Sequence, residues 1–254
     1  MLEVVILGTG NIAQHLFDTL TTYNDITVVQ VVGRNPKALA YFGEKSDIQT
    51  SFKKIKTADL YIIAVSDNAL GDVSHYLHGK KGVIAHTTGS ISMNILQEHK
   101  NHGVFYPLQT FTKNQKVNFK TVPLCIEANN NESYSLLKKL AEVLSDNVYD
   151  ITSEQRKKLH LAAVFINNFS NYVYQIGNDI CEENNLSFDI LKPLILETAK
   201  KATLFNPETV QTGPGRRNDL ETIDIHKEQI KNIEHLKIYN VMTDAILSKY
   251  GKKL

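Results

Sequence analysis

The sequence predicts an α/β N-terminal half built on a doubly wound parallel sheet, followed by an all-helical C-terminal domain. Three observations carry this. Short apolar runs alternate with helical spacing up to about residue 152, the first two runs flank a glycine-rich turn, and beyond Thr152 only the 3.6-residue period remains. The division is expected between residues 1–152 and 153–254.

Leu2 to Leu7 is a nearly uninterrupted apolar run, the pattern of a parallel strand covered on both faces. Gly8-Thr9-Gly10-Asn11-Ile12-Ala13 follows and leads into a helix whose buried face is Ile12, Ala13, Leu16, Phe17 and Leu20. Ile26 to Val32 supplies the next strand. Pro36 suits the first position of a helix over Lys37 to Gly43. Strands are expected at Ile48 to Phe52, Ala58 to Val65, Val83 to His86, Val104 to Leu108, Val122 to Glu127 and Val148 to Ile151, with a helix over Tyr134 to Leu144. Asp67 is read as the cap of the helix after the fourth strand, and Ser90 or Ser92 as a cap further on.

The second half reads as helices. One runs from about Glu154 to Glu183, capped by Thr152 or Ser153, with Gln155 completing a capping box if Thr152 is the cap. Leu186 to Leu204 forms the next, broken near Pro193 because proline is tolerated only in a first turn. Asn206 to Asp219 is a polar loop, Asp219 caps a helix through Ile230, and Ile233 to Tyr250 is the last, followed by a basic tail.

The whole chain excludes several classes. With 42% hydrophobic residues, 22% charged residues and a formal net charge of +1 over 254 residues, no global field draws it to nucleic acid or membrane, so a small-molecule partner is expected. No basic leader precedes the first strand and no apolar run reaches spanning length, so a cytoplasmic protein is expected. Cys125 and Cys181 lack metal spacing and are expected as buried thiols. His75/His78 and His99/His102 are each three apart but lack a third ligand at a defined offset, so no metal is expected.

The glycine turn has a chemical reason. Glycine at position 8 permits a sharp turn, glycine at position 10 lets the backbone approach a pyrophosphate, and Ala13 lets the helix lie close to the strand. The helix N-terminus then offers free N–H groups and the positive end of its dipole to an anion. Gly8, Thr9, Gly10, Asn11 and Ile12 are therefore the expected pyrophosphate site. After the second strand comes Gly33-Arg34-Asn35, with no acid before Glu44, and Arg34 with Asn35 points to the 2′-phosphate of NADP(H) rather than to NAD. Val65, Ser66 and Thr87, at the carboxyl ends of their strands, are expected on the nicotinamide side. On a straight helix His160, Asn167 and Asn171 share one side and Asn168 is turned by about a quarter circle. His160 is a possible proton donor. Arg216, Arg217, Asp219 and His226 flank the polar loop, with roles left open between an anionic substrate and pairing within the loop.

Several segments together resemble a known family: the glycine turn, AVSDN at 64–68, HTTGS at 86–90, VFYPLQTF at 104–111, HLAAVFINNF at 160–169 and TGPGRRND at 212–219. They are similar to the Rossmann-like proteins with a C-terminal DUF2520 domain, within the pyrroline-5-carboxylate reductase-like and F420-dependent NADP oxidoreductase-like group. The resemblance spans essentially the whole chain. It implies a Rossmann domain followed by a dimerising helical domain like the C-terminal domain of 6-phosphogluconate dehydrogenase, with NADP(H)-dependent oxidoreductase activity. By the same pattern His160, Asn168, Arg217 and Asp219 match kept positions, which raises Asn168 above Asn167. Tyr106 stands where many relatives carry a histidine, and Asn218 where a glycine is common.

The expectation is thus a homodimeric enzyme transferring a hydride to a C=N or C=O group of a small polar metabolite, with Asn168 and His160 at the substrate. A non-catalytic NADP(H) sensor or scaffold is the alternative.

Overall fold

The computed structural model describes residues 1–251; the basic tail lies outside the described residues. The chain divides into two compact units, Met1–Asn168 and Phe169–Leu254.

The first unit is an eight-stranded sheet. Its strands are β1 (Leu2–Leu7), β2 (Ile26–Val32), β3 (Asp47–Gln49), β4 (Leu60–Ile63), β5 (Val83–His86), β6 (His102–Pro107), β7 (Leu124–Ala128) and β8 (Val148–Asp150). Their order is β3-β2-β1-β4-β5-β6-β7-β8, parallel from β3 to β6. The helices of this unit are α1 (Asn11–Leu20), α2 (Pro36–Leu39), α3 (Leu70–His75), α4 (Asn131–Leu144) and α5 (Ser153–Ala163). In β1, Val4 and Ile6 join the apolar layer that includes Leu16, Phe17, Leu137 and Leu144, whereas Val5 and Leu7 join that of Ile63, Leu70 and Leu96. Both faces of the sheet are covered, which is why the central strands read as continuous apolar runs.

β7 runs antiparallel to β6, pairing Tyr106 with Cys125. The connection from Leu108 to Pro123 contains a 3₁₀ turn at Phe119–Thr121 and no α-helix. Three strands are also shorter than their apolar runs: β3 ends at Gln49 rather than Phe52, β4 covers Leu60–Ile63 of the run 58–65, and β8 stops at Asp150. The expected helix over Lys37 to Gly43 is α2 followed by a 3₁₀ turn, Ala40–Phe42.

The capping reading at the start of α5 is seen in full. Thr152 accepts from Gln155 N while the Gln155 side chain accepts from Thr152 N. The expected single helix to Glu183 is not uniform, however. Val164–Phe169 forms a π-helical turn.

The second unit consists of α6 (Ser170–Glu183), α7 (Lys192–Leu204), α8 (Pro207–Val210), α9 (Pro214–Arg217), α10 (Leu220–Gln229) and α11 (Ile233–Tyr250). Pro193 sits in the first turn of α7, preceded by a 3₁₀ turn at Phe188–Leu191. The polar loop therefore holds two short helices. Asn218 ends α9 in the left-handed conformation, φ 55°, where glycine is the usual residue and asparagine the best-tolerated substitute. Asp219 caps α10 by accepting from Thr222 N.

Candidate functional site

The carboxyl ends of β1, β2, β4 and β5 open on a cleft of about 630 Å³. The strand order reverses direction between β1 and β4, the place where open α/β sheets take ligands. Gly8, Thr9, Gly10, Asn11, Ile12, Arg34, Asn35, Val65, Ser66 and Thr87 all line this one cleft, together with Gly33, Gln109 and Phe111.

The glycines do different work. Gly8 has φ +128°, and a Cβ there would sit 2.0 Å from the Ala64 carbonyl oxygen, so only glycine lets β1 end this close to β4. A Cβ on Gly10 would meet nothing within 4 Å. Its absence leaves open space in front of α1, whose first turn has no side-chain cap and no acidic residue. Free N–H groups at a ten-residue helix N-terminus therefore face the cleft. Arg34 is exposed at its rim. Asn35 accepts through Oδ1 from Lys37 N and Ala38 N, so half of its amide is committed to capping α2. Asn11 Nδ2 donates to the Phe111 carbonyl at 2.7 Å, and a His15 ring nitrogen lies 3.0 Å from the Thr112 carbonyl. These contacts hold the loop after β6 against α1.

Asp67 does not act as the cap expected of it. It accepts a short hydrogen bond from the Ser90 hydroxyl, tying the turn after β4 to the turn after β5, while Ser92 caps a 3₁₀ turn.

Thr87 begins the HTTGS turn, and the same turn reaches His160. A Cβ on Gly89 would lie 2.5 Å from His160 Nδ1 and 2.9 Å from Tyr106 Cζ, so the imidazole and the phenol occupy the space a side chain would fill. The Tyr106 hydroxyl is 3.1 Å from His160 Nδ1. Burial, then Cys125, pushes the Tyr106 pKa up to about 12, with Arg156 acting in the opposite sense, so the phenol stays protonated at neutral pH. The π-helical turn changes which asparagine shares a side of the helix with His160. Each residue of an i→i+5 turn advances by less than the α-helical 100°, so Asn168 returns to within roughly 20° of the His160 meridian and Asn167 swings off by about 90°.

Sequence reasoning missed the group that holds this turn in place. Arg156 is fully buried. Its Nη1 donates to Glu127 Oε2 at 2.6 Å, its Nε to the Thr88 carbonyl at 3.1 Å, and its Nη2 to the Ile91 carbonyl and to Ser153 Oγ. Ser153 in turn donates through N and Oγ to the Glu127 carboxylate. The only signal was Glu127, an acid closing an apolar strand run.

His86 is the other buried ionisable group nearby. Its Nδ1 accepts from Thr88 N at 3.3 Å, while Nε2 has no hydrogen-bond partner among the described residues. Burial first, then Arg156 and His102, push its pKa down to about 3, and the Ser92 backbone pulls the other way. The unfolded chain therefore takes up a proton near pH 6.5 that the folded chain refuses until about pH 3. Stability present above pH 6.5 should fall by a few kcal/mol as pH drops through that window. His86→Gln should flatten this decline in denaturant midpoints measured from pH 7 to pH 4, and an unchanged slope would exclude His86 as its source.

In the helical unit Arg217 lies 3.6 Å from Asp219, and the Arg216 guanidinium stands over the Tyr250 ring at 5.4 Å. His226 Nδ1 is 3.0 Å from the Tyr239 hydroxyl. Arg217 with Asp219 makes the pairing within the loop. Cys125 and Cys181 are both buried and free. Among the described residues no helix is long and apolar enough to cross a membrane.

A doubly wound sheet with a glycine turn and an uncapped helix at its switch point, followed by a helical unit, defines a dinucleotide-binding oxidoreductase fold. The comparisons agree. Residues 3–89 match the family model "NADP oxidoreductase coenzyme F420-dependent" and residues 122–246 match "Domain of unknown function (DUF2520)". A Bacteroides fragilis protein described as a "putative NADP oxidoreductase" is 36% identical, with 97% of this chain and 98% of that one covered and a TM-score of 0.92. A pyrroline-5-carboxylate reductase from Coxiella burnetii, 15% identical over 96% of this chain and 98% of that one, has a TM-score of 0.57. An imine reductase from Myxococcus stipitatus in complex with NADP+, 12% identical over 97% and 92%, has a TM-score of 0.66. The last two show likeness of fold alone. No curated protein matches the chain in sequence. The chain belongs to the NAD(P)-binding oxidoreductase family that joins an F420-dependent NADP oxidoreductase-type domain to a DUF2520 domain.

Proposed function

We propose that the protein is an NADP(H)-dependent oxidoreductase acting on a C=N or C=O group of a small polar metabolite, as a cytoplasmic homodimer. The observation that carries this reading is that one turn, residues 86–90, has Thr87 on the cleft and Gly89 against His160. When bound, the nicotinamide cofactor supplies or accepts the hydride. The open space at Gly10 and the uncapped N–H groups of α1 fit its pyrophosphate. Arg34 and the free end of the Asn35 amide are assigned to the adenosine phosphate. Val65, Ser66 and Thr87 are assigned to the nicotinamide side.

His160 Nδ1–H donates to the Tyr106 oxygen in the arrangement we assign, the phenol staying neutral. The doubly protonated imidazole then passes its Nε2 proton to the substrate atom left by hydride arrival and ends neutral. Asn168, on the same helical meridian, orients that substrate.

Burial supports the homodimer. Among the described residues of the helical unit only Cys181, Gly215, Ile223, His235 and Thr243 are buried, while Ile190, Leu194, Leu196, Leu204 and Val241 are each more than 60% exposed. So small an interior does not sustain a helical unit alone, and this many exposed apolar side chains favour an interface.

Single-turnover oxidation of NADPH against cyclic imines and 2-oxo acids tests the function. Consumption with one of these classes is expected; tight NADPH binding with no turnover of any would select the sensor reading. Arg34→Ala should weaken NADPH binding about tenfold, the loss of one charged hydrogen bond, and leave NADH binding unchanged in fluorescence titrations. Equal weakening of both would remove Arg34 from the 2′-phosphate.

A further inference from the structure

We propose that His75, His78 and Glu98 form a binding site for one divalent late transition-metal ion, Zn²⁺ foremost. The site is separate from the cleft and does not depend on the oxidoreductase reading. The sequence shows two histidines three apart at the end of α3 and no third ligand beside them. The fold supplies it from Glu98, in the segment that leads into β6.

One ligand atom from each of the three side chains lies within 4.8 Å of the other two. His78 Nε2 and Glu98 Oε2 are already 3.3 Å apart. That is the separation of two ligands sharing a tetrahedral ion at bond lengths of ~2.0–2.1 Å. The His75 and His78 rings lie side by side, 5.5 Å between centroids and 31° from parallel, and the His99 ring flanks His78 at 5.2 Å. An imidazole–carboxylate ion pair would account for His78 and Glu98 but not for His75. Among the described residues no hydrogen bond or ion pair engages the His75 ring. All three side chains are exposed, so the rotations that bring His75 the remaining distance meet no packing resistance.

The donor set defines the ligand class. Two imidazole nitrogens and one carboxylate oxygen suit Zn²⁺, Ni²⁺ or Cu²⁺, with water completing the coordination. Mg²⁺ and Ca²⁺ require oxygen donors and do not fit. A bound ion would staple the connection after β4 to the connection after β5. Val73, in the first of these, lines the cleft, and the turn of residues 86–90 begins the second. The site therefore clamps two segments beside the cleft without entering it.

The experiment is calorimetric titration of the chelator-stripped full-length protein with zinc chloride, alongside a His75→Ala/His78→Ala double variant and Glu98→Gln. One ion per chain is expected in the unaltered protein. A rise in unfolding temperature of about 5–10 °C is expected at a hundredfold excess over Kd. The double variant should lose both responses and Glu98→Gln should bind at least about tenfold more weakly. Because the altered residues are exposed, unchanged unfolding temperatures without zinc will show that the variants fold. No zinc uptake by the unaltered protein, or equal uptake by the double variant, would overturn the proposal.

Discussion

Replacing Arg156 with alanine is expected to cost about 3–5 kcal/mol of stability and to lower the unfolding temperature by about 10 °C. The magnitude follows from what is left behind. The Glu127 carboxylate loses a partner at 2.6 Å, and the Thr88 and Ile91 carbonyls lose their side-chain donor. Breaking one partner of a buried pair leaves a largely desolvated charge, here compensated only in part by the two hydrogen bonds from Ser153. Arg156→Lys should rescue little, since one ammonium cannot reproduce a planar fork aimed at a carboxylate and two backbone oxygens. The loss should also reach the cleft, because Thr88 and Ile91 belong to the segment that carries Thr87 and Gly89. NADPH binding should therefore weaken together with stability. A thermal midpoint within about 2 °C of the unaltered protein, less than 1 kcal/mol, would show that the network is dispensable.

The ease with which different parts of this molecule can be read from sequence follows from the range of the interactions involved. β1, the glycine turn and α1 are legible because a local rule governs each: a strand covered on both faces is continuously apolar, a turn with positive φ takes glycine, and one buried helical face repeats at 3.6 residues. The Thr152–Gln155 capping box is legible for the same reason. Arg156 is not, because an arginine in the first turn of a helix looks alike whether it meets water or a glutamate 29 residues away. Asp67 reads as a cap by its position, yet a serine 23 residues on claims its carboxylate. The π-helical turn is hidden differently. Nothing in VFINNF announces an extra residue, so a straight-helix count puts Asn167 beside His160, whereas the resemblance to the family already favours Asn168. The antiparallel direction of β7 shows only in its pairing with β6, which composition alone does not reveal.

His160→Ala should reduce the rate of the chemical step by about 10²–10⁴-fold, the contribution of one positioned proton donor, while NADPH affinity stays unchanged. The separation is expected because His160 packs on Gly89 and Tyr106 and is not among the residues lining the cofactor cleft. Two further variants distinguish proton donation from simple packing. Tyr106→Phe keeps the ring and removes the hydroxyl that holds the imidazole, so the rate should fall without loss of stability. Gly89→Ala puts a methyl group 2.5 Å from His160 Nδ1 and forces the imidazole to move. A displacement of about 1 Å at a reacting group is enough to cost about a hundredfold. All three variants should thus lose turnover in stopped-flow measurements while titrating NADPH normally. If His160→Ala turns over at the unaltered rate, the proton comes from another group, and neither the tyrosine nor the glycine has an imidazole to position.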